Sequence, residues 1–126
     1  MSIYFNEEEM KCHCCGALPE GGIDPKLYEL LDMIRVAVQT PIYINSAYRC
    51  PSHNENVGGV PNSEHVQGVA TDISTNGIIS IADMKQVVEN CMDEMGIEGG
   101  IGTYPSQDFL HVDVRGYSAR WDESDY

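Results

Sequence analysis

Two helical stripes of apolar residues and four or five short runs of β-forming residues predict a small α+β domain. At 126 residues the chain suits one domain with a single core. The hydrophobic share of 42% and charged share of 21% are ordinary for a folded protein. The whole of residues 1–126 is therefore read as one domain, with residues 1–23 a cysteine-containing lead-in and 117–126 a polar tail.

The first helix is announced by Asp24-Pro25, a side-chain cap followed by proline where its missing N–H costs nothing. Leu27, Leu30, Leu31, Ile34 and Val38 then recur at helical spacing, which predicts a helix over residues 25–39 with one buried face. Pro41 stops it. Ile42 to Tyr48 is rich in branched and aromatic residues and reads as a strand. Residues 50–63 carry two prolines, three asparagines and Gly58-Gly59. They read as a long loop; loops of that length are usually functional or disordered, and this one leads straight into His65, which favours function.

Gly68 to Ser74 reads as a second strand, with Ala70, Asp72 and Ser74 on one face. Ser80, with Asp83 three positions on, starts a second helix in the manner of a capping box. Met84, Val87, Val88, Cys91 and Met95 form its apolar stripe, and Gly96 ends it. Gly99 to Tyr104 is a strand weakened by glycine, and Phe109 to Val114 is the last strand. Residues 116–126 follow as the tail, where Trp121 could cover one edge of the core.

The chain carries a formal charge of −13 with only seven Lys and Arg. That argues against nucleic acid, whose phosphates are bound by those residues, and against unaided adhesion to an anionic membrane. No stretch of about 18 apolar residues is present to span a bilayer. The N-terminal Met1-Ser2-Ile3-Tyr4-Phe5-Asn6 and the glutamates after it lack the basic and apolar regions of a signal peptide. Synthesis in the cytoplasm without a signal peptide is expected, and a monomer. Five cysteines favour reduced thiols over a disulfide framework. Cys12, Cys14 and Cys15, with His13 between them and Cys50 as a fourth candidate, allow a second, structural metal site. A loop of buried thiols is the better reading of that spacing.

The chemistry is concentrated in Ser63 to Asp72 and in Phe109 to Val114. His65, Asp72 and His111 supply two imidazoles and a carboxylate, a known set for a catalytic zinc that keeps one position open for water. Such a site also needs a carboxylate to take a proton, and Asp108 and Asp113 are the two candidates. Arg49, directly after a strand and before the long loop, is a candidate binder of a carboxylate or a developing oxyanion. His53 lies in the loop and receives no role.

These residues resemble a known family. Ser46-Ala47-Tyr48-Arg49, His53-Asn54, Gly58-Gly59, Ser63-x-His65-x-x-Gly68-x-Ala70-x-Asp72 and Phe109-x-His111-x-Asp113 are similar to the zinc D-alanyl-D-alanine carboxypeptidases. That group includes phage endolysins and murein endopeptidases, and shares its fold with the hedgehog signalling domain. The resemblance implies a mainly antiparallel sheet with two main helices packed on one side and a zinc cleft across the sheet. It implies zinc on His65, Asp72 and His111, Arg49 on the substrate, and Ser63 assisting in the pocket. Asp108 falls where many members carry the catalytic base, with Asp113 as its rival. The implied activity is hydrolysis of peptide bonds in peptidoglycan stem peptides or cross-links, by a D,D-carboxypeptidase or an endopeptidase such as a prophage endolysin. Such an enzyme acts on the cell wall after release. The alternative is a zinc-stabilised binding or phage structural protein on the same fold.

Overall fold

The computed structural model describes residues 4–5, 7–12, 16, 18–19, 22–50, 65 and 67–122. Its elements in chain order are α1 (Glu7–Met10), α2 (Pro25–Val38), β1 (Tyr43–Ser46), β2 (Ala70–Ser74), α3 (Ile81–Met95), β3 (Gly100–Tyr104), β4 (Phe109–Asp113) and β5 (Ala119–Asp122). The strands form one sheet in the order β1-β2-β4-β3-β5. Every pairing is antiparallel except β3 with β5, which is parallel.

Both main helices begin and end as their capping residues dictate. Asp24 accepts the Lys26 N–H at 2.9 Å at the head of α2, and left-handed Gln39 closes it. Ser80 accepts the Asp83 N–H at 3.1 Å at the head of α3, and left-handed Gly96 closes that one. The α2 stripe of Leu27, Leu30, Leu31 and Ile34 is buried, as its spacing predicts. In α3 the buried set is Ile81, Met84, Val88, Cys91 and Met92. Val87 and Met95, expected in that stripe, are only partly buried. The stripe has turned by one position because α3 must meet α2 and the sheet together.

α3 packs against β3, β4 and α2, so both helices cover one side of the sheet. Strand alternation gives that side Ile73, Leu110, Val112 and Ile101, all fully buried. The opposite face carries Ala70, Asp72, Ser74, Phe109, His111, Asp113, Gly100, Gly102, Tyr104 and Trp121. It is the polar face that the rest of the chain supports.

The tail departs from expectation, since Ala119–Asp122 adds a fifth strand. It alternates, with Ala119 and Trp121 half-buried and Arg120 and Asp122 exposed, but over only four residues, and side-chain bonds supplement the edge pairing. The Thr103 hydroxyl donates to Asp122 Oδ1 at 2.8 Å, and Arg120 donates to Glu89 on α3 at 2.6 Å.

Leu30 has no exposed surface. Leu30→Ala is expected to destabilise the domain by about 2–5 kcal/mol, the usual range for a cavity left by a fully buried leucine. Urea unfolding of the two proteins under one set of conditions measures it.

Candidate metal centre

The strand registers put one residue from each strand into a line across the sheet. Ser46 pairs with Asp72, Asp72 with His111, His111 with Gly102, and Gly102 with Trp121. Registered neighbours share a face, so these side chains stand side by side on the face away from the helices. A break in register between Ile44 and Ser46 brings Ser46 opposite Asp72.

His65 reaches this line from the loop before β2. Its carbonyl accepts the N–H groups of Arg49 and Gly68, each at 3.3 Å. Gly68 turns the chain back with φ 75°, a left-handed conformation that glycine adopts without steric cost. A Cβ there would also come within 2.6 Å of the Pro19 ring.

Three donor atoms converge. His65 Nε2 and His111 Nδ1 lie 3.2 and 3.1 Å from the same oxygen, Asp72 Oδ1. All three residues are buried, and one ligand atom from each can be chosen within 4.8 Å of the others. Donors on a tetrahedral ion with bonds of 2.0–2.1 Å stand about 3.3 Å apart, close to the two spacings to Asp72. The other ring nitrogens are engaged. His65 Nδ1 meets the Ala47 carbonyl at 2.7 Å, and His111 Nε2 meets Asp113 Oδ2 at 2.8 Å. A carbonyl and an ionised carboxylate only accept, so both of those nitrogens donate. With neutral imidazoles, that leaves lone pairs on His65 Nε2 and His111 Nδ1, both turned to the gap beside Asp72. The donor set fits zinc.

Charge is tuned around that gap. Burial pushes the Asp72 carboxyl up, but where a proton takes the place of a metal on the facing nitrogens, the hydrogen bonds of His111 and His65 outweigh it and hold the group well below the usual carboxylate range. For His111 burial acts downward, and its bonds to Asp113 and Asp72 outweigh it, so the imidazole is raised. A proton and a metal ion compete for its free nitrogen.

Asp113 is fully buried and is gripped on every side. Its Oδ1 accepts the Gly100 N–H at 2.8 Å and the Arg115 N–H at 3.1 Å. The Arg115 guanidinium donates to Oδ1 at 2.9 Å and to Oδ2 at 2.6 Å. Burial pushes the Asp113 carboxyl up, but His111, Arg115 and the Gly100 N–H overcome it and hold the group well below the usual range.

Arg49 donates to Asp72 Oδ2 at 3.2 Å and to Ser46 Oγ at 3.3 Å. The sheet and its neighbouring loop thus bring together His65, Asp72, His111, Arg49 and Asp113. Asp108 lies at the left-handed end of the turn between β3 and β4, three residues before His111, and its carboxylate has no hydrogen-bond partner among the described residues. Ser63, His53, His13, Cys14 and Cys15 lie outside the described residues. Cys12 is buried, and its sulfur accepts the Cys50 N–H at 3.4 Å.

Sequence reading missed Arg115, Gly100 and Gly102. Arg115 carried part of the signal that singled out Arg49, a scarce cation directly after a strand. The glycines keep the face low. A Cβ on Gly100 would strike Asp113 and Arg115, and one on Gly102 would strike the Trp121 ring.

The family model described as Peptidase M15 matches residues 3–113. No curated protein matches the sequence. Among solved structures, the chain is similar to the Serratia marcescens L-Ala D-Glu endopeptidase ChiX, with a TM-score of 0.60 and 16% identity over 90% of each chain. At that identity the likeness concerns the fold.

In the metal-free protein Asp113 stays ionised at pH values where the unfolded chain takes up a proton. Its contribution to stability is full above about pH 4 and is lost as pH falls through its lowered native value. Thermal melts from pH 5 down to pH 2 should show the native protein losing stability more steeply than Asp113→Asn.

Proposed function

The chain belongs to the peptidase M15 family of zinc murein peptidases, and on that premise we propose that it hydrolyses peptide bonds in peptidoglycan stem peptides or cross-links. The observation that carries the site assignment is the convergence of three buried donors, with the second nitrogen of each imidazole held by its own acceptor. His65, Asp72 and His111 would hold the zinc. When bound, that ion supplies a Lewis acid and lowers the pKa of a coordinated water toward neutrality.

The chain's own groups then do the following. Arg49 fixes the outer oxygen of Asp72 and places a cation beside the metal ligands, where a substrate carbonyl or carboxylate can be paired. Asp113 orients His111. It does not serve as the base in this reading, because it is fully buried and both its oxygens accept hydrogen bonds inside the protein. We assign proton transfer to Asp108, the remaining candidate, and a supporting place in the pocket to Ser63. The resemblance to endolysins supports a role at the cell wall after release. The L-Ala D-Glu endopeptidase of like fold makes that bond one to include beside D-Ala-D-Ala.

Digestion of peptidoglycan and defined muropeptides, with products read by mass spectrometry, tests the proposal and names the bond. One zinc per chain is expected. His65→Ala should lose the metal and at least about a hundredfold in activity, more than loss of a residue behind a ligand would cost. Asp108→Asn should keep the zinc and lose about 10²–10⁴ in kcat, the range for a missing general base. A native protein that holds zinc and cuts none of these substrates overturns the proposal.

A further inference from the structure

Trp121 is the only tryptophan in the chain and lies on β5, beyond the residues 3–113 that the family model matches. Its ring centroid is 5.0 Å from that of His111, and it is half-buried. One side of the indole is seated on Gly102, whose missing side chain leaves the room. Its N–H donates to the Tyr104 hydroxyl at 2.9 Å, and Tyr104 is itself stacked on Phe109 at 4.3 Å. The Arg115 guanidinium carbon lies 5.5 Å from the ring centroid. The indole's one polar atom is therefore satisfied within the protein, and the surface it still exposes is apolar.

We infer that Trp121 is a specificity-determining residue, the β5-side wall of the substrate cleft, packing against a small aliphatic side chain next to the scissile bond. This rests on the peptidase reading and goes beyond it. At one end of the line across the sheet Arg49 sits on Ser46 and Asp72; at the other the indole presents an apolar surface, and the cation near it, Arg115, is paired with buried Asp113. A peptide held with its carbonyl at His65, Asp72 and His111 and running along that line crosses the indole on one side. On the other side it meets a cation. The cleft thus selects an alkyl side chain toward β5 and a carboxylate toward Arg49. A rigid ring, held by Gly102 and Tyr104, makes that contact without ordering a flexible side chain.

The experiment uses the zinc-loaded native protein, Trp121→Phe, Trp121→Leu and Trp121→Ala, with alanine-containing muropeptides as the probe. Zinc content and melting temperature are measured for each. Trp121→Ala is expected to raise KM about tenfold, as for loss of one apolar contact in a pocket. Its kcat should stay within about threefold, and its zinc content should match the native protein. Trp121→Phe keeps a flat ring and should stay near native KM. Trp121→Leu still fills the space over Gly102 but loses the rigid ring, and should raise KM in the same direction as Trp121→Ala by a smaller factor, which covers a failure of the smaller variant to fold. In the native protein the single-tryptophan emission should shift on mixing with muropeptide. Native KM in the folded Ala and Leu variants, or an emission spectrum unmoved by muropeptide, overturns the inference and leaves the peptidase reading standing. A native protein that cleaves no muropeptide overturns both.

Discussion

The site depends on register. Asp72 and His111 face each other because β2 and β4 pair antiparallel at that rung, and a slip of one residue would turn both side chains into the helix-packed core. The helices supply the force that forbids the slip. Ile73, Leu110, Val112 and Ile101 are fully buried against them, so burial on one face fixes the positions of polar groups on the other. Precise placement on the candidate metal side is thus a by-product of hydrophobic packing on the far side.

A second chain of dependence runs through hydrogen bonds. Arg115 holds Asp113 ionised, ionised Asp113 accepts from His111 Nε2, and the lone pair of neutral His111 is thereby left on Nδ1, facing Asp72. A protonated Asp113 could donate instead, and the imidazole would then be free to carry its proton on the metal side. Arg115 therefore reaches the candidate metal seat without touching it. In a chain of net charge −13, two of its seven basic residues stand on the two carboxylates of this site. That pairing limits the cost of burying acids side by side.

Much of this was legible in the sequence, and the reasons differ by element. α2 and α3 were legible because caps and apolar period are local signals. The cluster of His65, Asp72 and His111 was legible as a candidate metal site because its residue types and spacing match one kind of metal site, and the structure brings the three together. β5 was not, since Ala119-Arg120-Trp121-Asp122 offers two apolar residues and takes its place from pairing with β3, which is a tertiary fact. Asp108 and Asp113 look alike in the sequence, as two acids near a candidate ligand. That both oxygens of Asp113 accept hydrogen bonds inside the protein is a tertiary fact. The α3 stripe was read with Val87 in place of Met92 because a helix that packs on two neighbours buries an arc set by both.

β3 shows why a reading by propensity underrates the functional face. Gly100 and Gly102 each cost a strand roughly 0.5–1 kcal/mol relative to alanine, and by pattern alone they weaken the assignment. Yet these are the two places where Asp113 with Arg115 and the Trp121 ring come down onto the backbone. The strand gives up local stability so that bulky and charged groups from β4, β5 and the segment between them can lie flat beside His111. Pairing on both edges, with β4 and β5, offsets that loss. The residues that fit a good strand least well are the ones that let the site form, as expected where local rules yield to function.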